Sequence, residues 1–314
     1  MLPWSIEEIQ RRQNSSLKNR IPTSPRPNRR APAMSNKPLI VIWGNPSSGK
    51  TTATVKLAQA LAAHRKNVLV IFSDALCPSI ATIVPQEASK QQSLGELLSL
   101  PSLTQEDLLR YSLSLKDTPY VALLGYKKGD HLFSYANYSR ERAIDLLTLA
   151  RHTADVVLVD CASYVSAYLL STVALEMADT VFQFHTCDLK SMLFYASYLP
   201  LLSDTRFKQG KTIPILSNVK PEQDGPSYSQ VVGGVRFLLP HVPALEQQMM
   251  EGKLLEPLSG KQAAAYGQSI DKMTGLIIPE DVKKPRKKPK EPVINVASIA
   301  QRLKELWNWR GAKK

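Results

Sequence analysis

Residues Gly44, Asn45, Pro46, Ser47, Ser48, Gly49, Lys50 and Thr51 fit the Walker A pattern G-x-x-x-x-G-K-[S/T], a spacing suited to phosphate capture. The loop between the glycines turns successive backbone N–H groups onto an anion. The lysine carries a point charge to the terminal phosphates, and the hydroxyl after it can ligate Mg²⁺. Such a loop works between a strand and a helix, because the helix N-terminus adds partial positive charge. Both flanks are present: the strand-like PLIVIW run at 38–43 precedes it, and TTATVKLAQALAAH at 51–64 has helical period. Gly44 through Thr51, together with Thr52, are therefore the candidate phosphate-binding residues, with Lys50 also stabilising charge in any phosphoryl transfer. The second requirement is a carboxylate at the end of a neighbouring strand. Asp155-Val-Val-Leu-Val-Asp160 supplies one, so Thr51 and Asp160 are the candidate Mg²⁺ ligands.

Apolar runs of strand length recur at 38–43, 67–72, 120–124, 155–160, 179–184 and 213–217, with a further run at 235–239 as a candidate edge strand. Between them, segments of helical period lie at 50–65, 104–116, 139–153, 164–177 and 188–203. Continuous apolar strands alternating with helices predict an α/β fold: a doubly wound, mostly parallel sheet covered on both faces. No internal repeat is visible.

The chain has 314 residues and a net charge of +13, unevenly placed. Residues 1–37 carry +6 and residues 281–314 carry +8, which leaves 38–280 at −1. The expected organisation is a basic, Pro-rich tail over 1–37, with a short helix at 5–13, then one globular domain over 38–280 and a basic appendage over 281–314. The appendage starts with six Lys/Arg among the eight residues 283–290, a run suited to an extended linker. It continues into 294–309, where Val296, Ile299, Leu303 and Leu306 share one helical face flanked by Trp307. Attraction to nucleic acid or anionic lipid is expected to act through the two ends.

Several chemistries are excluded. No stretch of 18 apolar residues occurs, and the basic start lacks the apolar core of a secretory signal. Cys77, Cys161 and Cys187 are too widely spaced for a metal pair and too few for a disulfide framework, which makes the cytoplasm the expected compartment. The five histidines show no ligand spacing, and G-x-S-x-G is absent.

From about Lys37 to Gly275 the chain resembles the ParA/MinD branch of P-loop ATPases. NVLVIFSDALCPS sits where that family has a strand ending in an Asp-x-Asp switch. Phe72 replaces the first Asp, while Asp74 matches the second, which the resemblance makes the residue that orients the attacking water. DVVLVDCASYVSAYLLSTVALEMADTVFQF resembles the Walker B strand, switch loop, helix and next strand. PILSNVKP resembles the strand whose terminal Asn contacts adenine, which implies a base contact for Asn218. FLLPHVPALEQQMMEGKLLEP resembles the region near the base, with Pro240 at its turn. Bacterial tyrosine kinases of this branch end in a tyrosine cluster, and the last 40 residues here contain no Tyr.

Two departures from the family pattern matter. Its usual loop is G-K-G-G-x-G-K-T, whose first Lys reaches a partner's ATP across a dimer; Asn45 stands there. Cys161-Ala162-Ser163 stands where Thr-Pro-Pro is common. The chain thus resembles the atypical TadZ/CpaE-like members, localisation factors for secretion or pilus machines. The resemblance implies ATP and Mg²⁺ as ligands, slow hydrolysis, and an ATP-dependent homodimer that positions a cargo or a membrane or secretion complex with a protein partner. The alternatives are a nucleotide-binding adaptor with little hydrolysis, or a DNA partition ATPase on nonspecific DNA; the charge of −1 on the body disfavours the latter. MinD-type relatives attach to membranes through a C-terminal amphipathic helix, so 281–314 is the candidate contact with an anionic membrane at the inner face; the alternatives are that its helix folds back on its own domain or docks on a protein partner.

Overall fold

A computed structural model describes residues 37–278 except Lys116, Lys208 and Ser259. In chain order the elements are β1 (Leu39–Gly44), α1 (Lys50–Ala63), β2 (Val68–Phe72), α2 (Ile80–Ile83), α3 (Leu94–Ser99), α4 (Gln105–Tyr111), β3 (Leu113–Ser114) and β4 (Val121–Gly125). There follow α5 (Arg140–Thr153), β5 (Val156–Asp160), α6 (Leu169–Met177), β6 (Thr180–His185), α7 (Leu189–Leu202), β7 (Thr212–Val219), α8 (Gly225–Val231), β8 (Phe237–Pro240), α9 (Pro243–Met250) and α10 (Lys261–Ile277). The expected tail, linker and helices at 5–13 and 294–309 lie outside the described residues. Among the described residues no helix is long and apolar enough to cross a membrane.

The strands form one sheet in the order β3-β4-β2-β5-β1-β6-β7-β8. All pairs are parallel except β3 with β4. Every residue of β1, β2 and β5 is buried, as a parallel sheet covered on both faces requires. The pleat sorts the side chains of β1. Ile40 and Ile42 join Leu57 and Leu61 of α1 and Ile270 and Met273 of α10, while Leu39, Val41 and Trp43 join Leu97, Leu146 and Val173 on the opposite face. Side-chain caps start several helices: Ser93, Ser139, Asp188 and Asp224 each accept from a backbone N–H, and Thr104 forms a reciprocal capping box with Asp107.

The expected helix at 104–116 is shorter than its period suggests. The Ser112 hydroxyl donates back to Leu108 O at 2.7 Å, and Leu113 then pairs with Leu123 of β4, so the chain leaves the helix for an antiparallel edge. The expected helix at 164–177 opens instead with a 3₁₀ turn at Val165–Ala167 before α6. The run at 235–239 becomes β8, two residues later than expected, at the sheet edge.

This order places β1 and β5 side by side at the middle of the sheet, with β2 next to β5. Asp160 lies level with both Ile42 and Phe72. The segments that leave the carboxyl ends of β1, β2 and β5 therefore meet at one point. That is where an open α/β sheet binds its ligands.

Candidate nucleotide-binding site

The phosphate loop leaves β1 under tight steric control. A Cβ on Gly44 would stand 2.1 Å from Phe184 O of β6, so only glycine lets the two strands approach here. Ser47 and Gly49 adopt left-handed conformations, with φ of 60° and 78°, a turn that suits glycine at the second position. Ser48 is buried; its hydroxyl donates to Asn45 O at 2.8 Å. The Ser217 hydroxyl from β7 donates to Ser48 O at 2.7 Å. The loop is thus held from inside and from the sheet. Gly49 caps α1 without a side-chain bond, and no acidic residue occupies the first turn, so the positive helix end is left to an anion.

Lys50 Nζ donates to Asn45 O at 2.9 Å, Gly44 O at 3.3 Å and Ser163 Oγ at 2.8 Å. Thr51 Oγ1 donates to Asp160 Oδ2 at 2.6 Å. Asp160 is buried, and its other oxygen, Oδ1, has no hydrogen-bond partner. Burial raises the Asp160 carboxyl to about 6, against the pull of Lys50 and the Thr51 hydrogen bond. Burial likewise lowers the Lys50 ammonium, against the attraction of Asp160 and Asp74. A buried carboxylate with one orphaned oxygen, beside a threonine hydroxyl, is a hard-oxygen donor set that fits Mg²⁺. Among the described residues no group of three or more His, Cys, Asp or Glu is placed to hold a metal. A cation at Thr51 and Asp160 would accordingly draw its other ligands from phosphate oxygens and water, as Mg²⁺ commonly does.

Asp74 follows β2, and its Oδ1 accepts from the N–H groups of Leu76 at 2.8 Å and Cys77 at 3.3 Å. Its charge reaches both Lys50 and Asp160, which places it with them at the carboxyl edge. Asn45 turns elsewhere. Its side chain is buried, donating to Thr186 Oγ1 at 3.0 Å and to Pro46 O at 3.0 Å and accepting from Ser191 Oγ at 2.9 Å. It therefore ties the loop to the start of α7.

A cleft of about 400 Å³ opens beside the loop, lined by Ser47, Gly49, Thr52, Asn218 and Pro240 together with residues of α9 and α10. The structure thus brings Asn218 and Pro240 to the same cleft as the phosphate loop. Leu245, Met249 and Tyr266 add apolar wall. Leu245 and Met249 fall in the stretch at 237–257 that the resemblance puts near the base, whereas nothing in the sequence singles out Tyr266. Ser163 and Ser217 were also missed. Ser163 stands three residues past Asp160, and that spacing was the available signal.

The sequence of residues 37–100 matches the family model described as "Chromatin associated protein KTI12", well under half of the chain. No curated protein sequence matches it. Solved structures match far more of it. The MinC:MinD cell division protein complex of Aquifex aeolicus aligns over 79% of this chain and 98% of its own, at TM-score 0.60 and 16% identity. A ParA family ATPase from Chlorobium tepidum aligns over 76% and 98%, at TM-score 0.62 and 16% identity. MinD from Pyrococcus horikoshii, complexed with Mg-ADP, aligns over 76% and 96%, at TM-score 0.58 and 17% identity. The fold is that of the ParA/MinD-type P-loop ATPases. Within this fold the buried side chain of Asn45 is committed to the start of its own α7.

Proposed function

We propose that the chain is a Mg-ATP-binding ATPase of ParA/MinD type. The observation that carries this reading is the meeting of Lys50, Thr51, Asp160 and Asp74 at the carboxyl edge beside an uncapped helix start. The relative solved with Mg-ADP supports the choice of ligand class. Bound at Thr51 and Asp160, Mg²⁺ would neutralise phosphate charge. Lys50 would leave its loop carbonyls for the terminal phosphates, and the loop N–H groups would cradle the phosphate chain. Asp74 orients a water in line with the γ-phosphorus. Water's oxygen bonds to phosphorus as the bond to the β-γ bridging oxygen breaks, giving ADP and phosphate. Hydrolysis is slow, because Asn45 brings no cation to a partner's nucleotide.

The wider role follows the same reading: ATP favours a homodimer that positions a cargo or a membrane or secretion complex, in the manner of the atypical TadZ/CpaE-like members. The buried, committed Asn45 favours a second reading, an adaptor that binds ATP and scarcely turns it over. Calorimetry on the full chain tests the binding step. Wild type should take up Mg-ATP, and Lys50→Ala should lose tight binding while its circular dichroism is unchanged. Equal affinities would overturn the assignment. Turnover measured on the same protein separates ATPase from adaptor.

A further inference from the structure

We propose that His241 is a positioning residue for base recognition: with Nδ1 hydrogen-bonded to Asn218 and its hydrogen favoured there by the nearby charge of Glu246, it fixes the Asn218 amide so that the cleft takes adenine rather than guanine. This rests on the reading of the cleft as the base end of a nucleotide site. The backbone of Asn218 is itself fixed. The β7–β8 register shifts between Leu216 and Val219, and Asn218 there has a left-handed φ of 56°. Ser217 on one side grips Ser48 O of the phosphate loop. On the other side His241 N donates to Val219 O at 2.9 Å. What remains free is rotation of the amide, which decides whether oxygen or nitrogen faces a given partner.

His241 removes that freedom. Its Nδ1 lies 2.7 Å from Asn218 Oδ1 and 3.6 Å from Glu246 Oε1. An ionised carboxylate can only accept, so Glu246 favours a hydrogen on Nδ1. An Nδ1–H needs an acceptor in Asn218, and the amide must then present oxygen, not nitrogen, to the ring. The amide is left with one further lone pair on Oδ1 and with both Nδ2 hydrogens. Adenine offers N6–H₂ as donor and N7 as acceptor along one edge, which is the complement of this pair. Guanine offers O6 and N7, both acceptors, and would set O6 against Oδ1 with no hydrogen between them. A well-made bidentate contact of this kind discriminates between bases by on the order of ten- to a hundredfold.

The test is calorimetry on the full chain with Mg²⁺, titrating ATP, GTP and inorganic tripolyphosphate. Wild type should prefer ATP to GTP by about tenfold or more. His241→Ala should bring the two nucleotides close to parity and leave tripolyphosphate affinity unchanged. His241→Asn, whose amide N–H can replace Nδ1–H, should restore the preference. Glu246→Gln, at an exposed position, should weaken it without touching the fold. A wild type that prefers GTP, or a His241→Ala variant that keeps the ATP preference, overturns the proposal while Lys50-dependent ATP binding leaves the site reading standing. Loss of tripolyphosphate binding in His241→Ala would make the residue a structural one and equally overturn it. A wild type that binds neither nucleotide nor tripolyphosphate overturns the site reading, and this proposal with it.

Discussion

Asp160→Asn should stabilise the nucleotide-free protein, and only above the carboxyl's own titration. Asp160 is fully buried, with its carboxyl raised from 3.8 to about 6 by desolvation, which Lys50 and Thr51 only partly offset. Between those values the folded chain holds a proton that the unfolded chain has released. The favourable contribution of the group is therefore complete below about pH 4 and is lost as pH rises through about 6. Each unit of difference corresponds to about 1.36 kcal/mol. The ionised carboxylate thus costs the empty site about 3 kcal/mol relative to a neutral group of the same shape. Asparagine is that neutral group, and its oxygen can still accept from Thr51. For a domain of this size about 3 kcal/mol corresponds to a rise in Tm of about 6–12 °C. Thermal denaturation followed by circular dichroism, without nucleotide, should show that gain near pH 7.5 and none near pH 4. Mg-ATP should then raise the Tm of wild type and not that of the variant, because the orphaned Oδ1 would be satisfied only in wild type. A variant no more stable than wild type near neutral pH would refute the argument that the carboxylate waits for a cation.

Three further outcomes are expected. Asp74→Ala should still bind ATP but accumulate the ATP-bound state, and steady-state hydrolysis equal to wild type would show that another residue positions the water. Gly44→Ala should lose about 3 kcal/mol or more in a urea titration, because the new Cβ meets Phe184 O at 2.1 Å and β1 and β6 must part; an unchanged midpoint would contradict that contact. Full-length protein with ATP should sediment with anionic vesicles, since basic residues near an anionic leaflet contribute about 1 kcal/mol each. Removal of 281–314 should abolish sedimentation, and failure of the full-length protein to pellet would end the membrane reading.

The parts of the fold legible in the sequence are those where one physical rule acts alone. A strand buried on both faces must be apolar throughout, so β1, β2 and β5 announce themselves, as does the Asp that ends β5. The loop could be read because phosphate capture demands glycine at fixed positions, and at Gly44 and Gly49 steric closeness and left-handed backbone supply the reasons. Where two demands compete, the pattern blurs. The stretch 104–116 carries helical period throughout, yet the pairing of Leu113 with Leu123 claims its end. In α10, Ala263, Tyr266, Ile270, Met273 and Ile277 are buried at helical spacing, so the period of this element is legible, although Gly267 and Gly275 within it weaken the helical signal. The partners that complete the site stayed hidden for a different reason. Ser163, Ser191 and Ser217 are small polar residues of the kind found in any loop, and only the crossing of β1, β5, β6 and β7 makes them contacts of Lys50, Asn45 and Ser48. Asn45 is the sharpest case. Its identity breaks the resemblance and suggests a missing contact across a dimer, while its position shows a contact made within the chain. Through Thr186 and Ser191 the loop is bolted to the start of α7 by the same residue, Asn45, whose carbonyl holds Lys50.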